Sequence, residues 1–154
     1  LSLRRQRQMC IRDSIQVVLD GMVSVVTDGT GRGVFAGAGY TSGGKTGTAQ
    51  AVTIGQKDRY DAKRLAERQR DHGLYLAFAP AQNPQLVVAA IVENAGWGAQ
   101  VAAPIVRRVF DYALLGQYPS EQDIAAVRQG RGGPPLGTPR AAADIPLVPI
   151  ASGD

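Results

Sequence analysis

An α+β fold, with helices covering an antiparallel sheet, follows from three features of the sequence. Apolar residues recur at helical spacing in two stretches, 15–26 and 100–115. Between them, two short apolar runs flank a turn bounded by prolines, the pattern of a β-hairpin. Strands in the middle with helices before and after place the helices over one face of the sheet.

The first element is preceded by a segment that does not belong to it. Residues 1–14, LSLRRQRQMCIRDS, carry four arginines against Asp13, so they hold +3 of the formal +4 and leave +1 for the rest. No basic nucleic-acid surface is implied. The reverse-translated codons resemble a transposase adapter used in preparing sequencing libraries, and the segment is set aside as foreign. A basic targeting presequence is the rival reading, but no apolar stretch follows the arginines. The native polypeptide is therefore expected to begin upstream, with residues 15–116 its folded C-terminal part. Cys10 is the only cysteine and lies in the foreign segment, which leaves no thiol for a disulfide or for catalysis. No window of about twenty apolar residues is present, so no segment reads as a membrane span.

Ile15, Val18, Leu19, Met22, Val23 and Val26 form one apolar stripe, and Thr27-Asp28-Gly29 stops that helix. It reads as a packing helix without chemistry. Residues 30–44 are glycine-rich and irregular. From Gly47 the chain is rich in β-branched residues (Thr48, Val52, Thr53, Ile54), which favours an extended segment. Residues 56–72 form a polar insertion with six basic and four acidic side chains besides His72. Mixed signs predict a solvated, partly helical excursion rather than an anion site. Residues 73–79 and 85–92 read as the hairpin strands. Residues 100–115 place Val101, Ile105, Val109 and Tyr112 on one helical stripe, with Pro104 in the first turn where it is tolerated. From 117 to 154 proline, glycine and alanine dominate, and a mostly disordered tail is expected with modest helical character at 122–128.

The chemistry turns on Gly44-Lys45-Thr46-Gly47-Thr48. Gly39 to Thr46 satisfies the phosphate-loop spacing G-x-x-x-x-G-K-[ST]. That reading needs a buried strand before the loop and a helix directly after the lysine. Here the upstream residues are irregular and the downstream ones extended. The same residues also form the K-T-G element of penicillin-binding proteins and class A β-lactamases. On that reading Lys45 lies on a strand at the margin of a cleft. Gly47, with no Cβ, lets a substrate backbone approach. An amine beside the hydroxyls of Thr46 and Thr48 suits a substrate carboxylate. A lysine in a glycine-rich surface turn is the plain alternative. His72, the only histidine, reads as structural and binds no metal without partners. Trp97 caps the sheet edge or lines the cleft, the first being favoured.

With these elements in place, the chain from 15 to 116 resembles the C-terminal third of a penicillin-binding transpeptidase domain. The K-T-G-T-A-Q strand, residues 59–72 (RYDAKRLAERQRDH), Ala77-Phe78-Ala79-Pro80, Asn83-Pro84 and Val92-Glu93-Asn94 are similar to the penicillin-binding protein 2 family, the class B transpeptidases of rod elongation. The resemblance implies a partial penicillin-binding/β-lactamase-like fold and a D,D-transpeptidase or D-Ala-D-Ala carboxypeptidase chemistry. A serine attacks the D-alanyl-D-alanine end of a stem peptide, D-alanine leaves, and an amine resolves the acyl-enzyme. It further implies Lys45 as a catalytic cation, Thr46 and Thr48 as hydroxyls for the carboxylate, the Thr48 amide as an oxyanion donor and Gly47 as the open approach. No cofactor or metal is implied. The implied partners are peptidoglycan stem peptides, β-lactam antibiotics, a membrane glycan polymerase and other elongation proteins. The implied location is the bacterial inner membrane, with the catalytic domain in the periplasm.

The family's S-x-x-K and S-x-N elements are missing. Of Ser2, Ser14, Ser24, Ser42, Ser120 and Ser152, only Ser42 has a lysine three residues on, and that lysine is Lys45 itself, in a glycine turn. This polypeptide is expected to be inactive alone. A nucleotide-binding module and a non-catalytic binding fragment are the alternatives.

Overall fold

The computed structural model describes residues 2–51, 65–129 and 131–144, with side chains from residue 7. Helix α1 (Ser2–Thr27) continues back through the arginine-rich segment; of the expected stripe Leu19, Met22, Val23 and Val26 are half-buried, while Ile15 and Val18 are exposed. It ends where the Asp28 and Gly29 N–H groups both reach the Ser24 carbonyl at 2.9 Å. The glycine-rich stretch read as irregular holds one helical turn, α2 (Arg32–Phe35). So short a helix is not stable by propensity. It is held because Val34 and Phe35 are buried in the core.

Three strands follow, β1 (Gly43–Ala49), β2 (His72–Ala79) and β3 (Leu86–Val92), antiparallel throughout in the order β1-β2-β3. The hairpin stands at the expected place, with Ala79 opposite Leu86. Most of the charged insertion, residues 56–64, lies outside the described residues. Its end forms a single 3-10 turn, Glu67–Gln69.

Alternation along β2 sets the two faces of the sheet. Tyr75, Ala77 and Ala79 are buried on one side, while Leu76 opposite them is 45% exposed. Helix α3 (Gly98–Leu115) covers the buried side and brings in Ala102, Ala103, Val106 and Phe110, all fully buried. This corrects the expected stripe. Ile105, Val109 and Tyr112 face outward, and only Val101 of the four packs against the core. Two alanines let the helix lie close to the sheet. The rest of the inner face is completed by Arg107 and Asp111, which carry no hydrophobic signal. Pro104 is likewise not in the first turn, since α3 begins at Gly98.

The buried charges are paired. Asp111 accepts from Arg107 Nε and from Arg108 Nη1, each at 2.7 Å, and from the Tyr40 hydroxyl at 3.0 Å. Arg107 also donates to the Val34 carbonyl at 3.1 Å, tying α2 to α3. Desolvation and the Asp111 carboxylate hold the Tyr40 hydroxyl far above its ordinary pKa.

Gly116, with φ 62°, closes α3 in the left-handed conformation. The stretch expected to be mostly disordered holds β4 (Gln117–Tyr118), α4 (Glu121–Arg128) and β5 (Arg140–Ala141), with β4 and β5 paired. Ser120 and Asp123 form a capping box at the start of α4. Arg108 reaches from α3 to Asp123 and to the Gly137 carbonyl, and Leu136 packs on the core, so charge and apolar contact together fasten this segment.

Candidate active-site edge around Lys45

The K-T-G-T residues lie in the middle of β1, and β1 has a strand neighbour on one side only among the described residues. Lys45 pairs with Leu76, and Gly47 with Leu74, so both stand on the face that the helices leave uncovered. Lys45 is exposed, and its Nζ donates to the Thr46 carbonyl at 2.6 Å. The ammonium therefore lies along the strand, next to its backbone.

Thr46 pairs with buried Tyr75 and so points to the opposite face from Lys45. Its hydroxyl lies 3.4 Å from that of Thr30, in the loop after α1. Thr48 pairs with Gly73, shares the parity of Thr46 and is exposed. The structure thus brings the four residues onto one strand but divides their side chains between its faces. Thr30 was not marked by the sequence, since nothing local signals a partner sixteen residues away.

The strand is bare of side chains where its neighbours come closest. Below Gly44 sits the Tyr75 ring: a Cβ at Gly44 would lie 2.6 Å from Tyr75 Cζ and closer still to the hydroxyl. That hydroxyl is buried without a hydrogen-bond partner among the described residues, and desolvation pushes its pKa up to about 12. At Gly47 a Cβ would meet Leu74 Cβ at 3.3 Å.

His72 and Ser42 stand at the ends of β1, and Trp97 just before α3. His72 Nδ1 accepts the Asn94 N–H at 3.0 Å, a structural bond between the hairpin and the following turn. Trp97, immediately before α3, is 70% exposed. Ser42 is buried, and it precedes a strand rather than opening a helix, so it is no nucleophile in this arrangement. Among the described residues no three His, Cys, Asp or Glu side chains gather to hold a metal.

The phosphate-loop reading is overturned. Residues 46–49 continue β1, so no helix N-terminus follows Lys45 and no cradle of amides forms.

Residues 5–111 match the family model described as the penicillin-binding protein transpeptidase domain. The chain belongs to that family. The match begins within the arginine-rich first segment and ends near the close of α3. Among curated proteins, the peptidoglycan D,D-transpeptidase MrdA of Haemophilus influenzae is 45% identical over 101 residues, covering 64% of this chain and 16% of that protein. MrdA of Acinetobacter baumannii is 47% identical over 96 residues, covering 62% and 14%. The chain thus spans about one sixth of these relatives' length. Among solved structures, Pseudomonas aeruginosa PBP2 in complex with WCK 5153 is 43% identical, with a TM-score of 0.51 over 64% of this chain and 19% of that one. The Helicobacter pylori complex between PBP2 and MreC gives 25% identity and a TM-score of 0.53, covering 68% and 18%.

Proposed function

We propose that these residues supply the K-T-G edge of a peptidoglycan D,D-transpeptidase active site, in a longer polypeptide that carries the nucleophilic serine. The observation that carries this reading is the placement of Lys45 at mid-strand, exposed, on a sheet edge unpaired among the described residues, in a transpeptidase-family chain.

The roles follow from strand geometry. Lys45 is the catalytic cation: a mobile ammonium that lends positive charge near the serine and relays a proton towards the leaving D-alanine. Gly47 keeps its side of the strand open to the stem-peptide backbone. Backbone groups two residues apart on a strand point to the same edge. Thr46 offers its carbonyl to Lys45, away from the β2 ladder. By the same parity the Thr48 N–H points outward, where it donates to the oxyanion of the tetrahedral intermediate. One such donor contributes about 2.7–4 kcal/mol to the transition state. The Thr48 hydroxyl, exposed at the strand's outer end, binds the substrate carboxylate. Thr46 joins it by exchanging its Thr30 partner for substrate.

The wider reading extends to partners and place. The active site takes D-alanyl-D-alanine stem peptides and is acylated by β-lactams. The whole protein works with a glycan polymerase and an MreC-like elongation protein, as the name of the Helicobacter pylori complex suggests for its PBP2. Among the described residues no helix is long and apolar enough to cross a membrane. An inner-membrane anchor with a periplasmic catalytic domain is assigned to the longer polypeptide. The 154 residues alone are expected to be inactive. Mass spectrometry of the full-length protein after exposure to a penicillin tests this: one serine acylated within an S-x-x-K element is expected. The absence of any acylated serine would refute it.

A further inference from the structure

We propose that Gly98, at the first turn of α3, is a positioning residue for the Lys45–Thr48 edge; this rests on the function just assigned. A Cβ at Gly98 would lie 2.8 Å from the Gly47 carbonyl oxygen and closer still to that of Leu74. Ordinary contact is about 3.5 Å or more. Gly47 and Leu74 are the paired rung of the β1–β2 ladder that lies between Thr46 and Thr48. The first turn of α3 is thus seated backbone to backbone against the rung behind the oxyanion-side amide.

Gly73, one residue along β2, completes the seam. A Cβ there would lie 2.4 Å from Val101 Cγ2, 2.8 Å from the Gly96 carbonyl oxygen and 3.2 Å from the Gly98 nitrogen. The last two are backbone atoms that cannot swing aside. When a methyl is added, something in the backbone moves. Helix α3 is anchored by Ala102, Ala103, Val106 and Phe110, all fully buried. Strand β1 is an edge: β2 is its one strand neighbour among the described residues, and α1 packs against it without a ladder. The displacement therefore passes to β1, which carries Lys45 and Thr48. A misplacement of about 1 Å in a catalytic group costs on the order of a hundredfold in rate.

The test is β-lactam acylation of the full-length protein, with fluorescent penicillin varied in concentration so that affinity, acylation rate constant and labelled amplitude are read separately. Gly98→Ala is expected to lower the rate constant by at least tenfold with full amplitude and little change in affinity, since the amide acts in the transition state. A purely structural defect lowers the amplitude instead. Val106→Ala, which opens a cavity under α3 away from β1, serves as the stability control. It is expected to lower the melting temperature while its rate constant stays within about threefold of the parent. Gly73→Ala presses on the same turn from β2 and is expected to behave like Gly98→Ala. The proposal is overturned if Gly98→Ala and Gly73→Ala acylate at the parent rate. It is equally overturned if Val106→Ala loses as much rate constant, or if neither glycine variant folds. Failure of the underlying function looks different: the parent protein itself is then not acylated.

Discussion

Lys45 stands opposite Leu76 across the β1–β2 ladder, and that pairing puts the ammonium on the sheet face the helices leave uncovered. One residue on, Thr46 pairs with Tyr75, on the opposite face, and is half-buried. A one-residue slip of β1 would exchange these positions and turn the lysine towards the helices. Register is therefore the link between packing and chemistry in this strand.

Tyr75 holds that register from below. Gly44→Ala sets a methyl against the Tyr75 ring and is expected to destabilise the fold by about 1–3 kcal/mol. Tyr75→Phe removes a buried hydroxyl that has no partner among the described residues, so alone it is expected to be neutral or stabilising. Combined, the two changes should cost less than the sum of their separate effects, as read by urea unfolding. Strict additivity would show that the hydroxyl is not what the new methyl meets.

Asp111 sits buried between two arginines and the Tyr40 hydroxyl. Asp111→Asn leaves Arg107 buried without its counter-charge and is expected to cost about 3–5 kcal/mol. Thermal unfolding of the variant checks this. Arg108→Met, which spares the buried Arg107 pair, should cost less of the core's stability.

Much of this was legible in the sequence, and the misses have physical causes. The hairpin and the Lys45 strand were readable because β-branched and apolar runs between turn residues have few other solutions. The inner face of α3 was not, because alanines and an Arg107–Asp111 pair replace the large apolar residues that mark a core face. The segment 117–144 reads as low-complexity, yet Arg108, Asp123 and Gly137 join it to α3 across distances in sequence that no local pattern reports. Lys45, Thr46, Gly47 and Thr48 could be marked as candidates from their motif. Gly98 could not, since what marks it is the closeness of two carbonyls from other elements.

The attachment of α4 should be acid-sensitive. Burial alone would raise the Asp123 pKa. The Gly137 N–H, Arg108 and the Ser120 N–H outweigh it and hold the carboxyl below its ordinary value. A depressed folded pKa contributes stability above the unfolded value, near pH 4, and loses it as pH falls through the lower folded value. Limited proteolysis in residues 117–144 is expected to accelerate in that acid range. In Asp123→Asn it should be fast already at neutral pH, with the acid step gone.

The alkaline limb runs the other way. Tyr75 is pushed up to about 12, and Tyr40 is raised further in the same direction. Raised folded values leave stability intact below pH 10 and remove it as pH rises from 10 towards 12. Phenolate absorbance should show Tyr40 and Tyr75 titrating only together with unfolding. Substituting Phe at position 75 should weaken the alkaline loss.

The most direct measurement of the central claim is the acylation rate constant of the full-length protein by fluorescent penicillin, compared between Lys45 and Lys45→Ala. A fall of a hundredfold or more, with the melting temperature unchanged, is the predicted result for an exposed edge cation acting in the reaction. Equal rate constants for the two proteins would contradict the account.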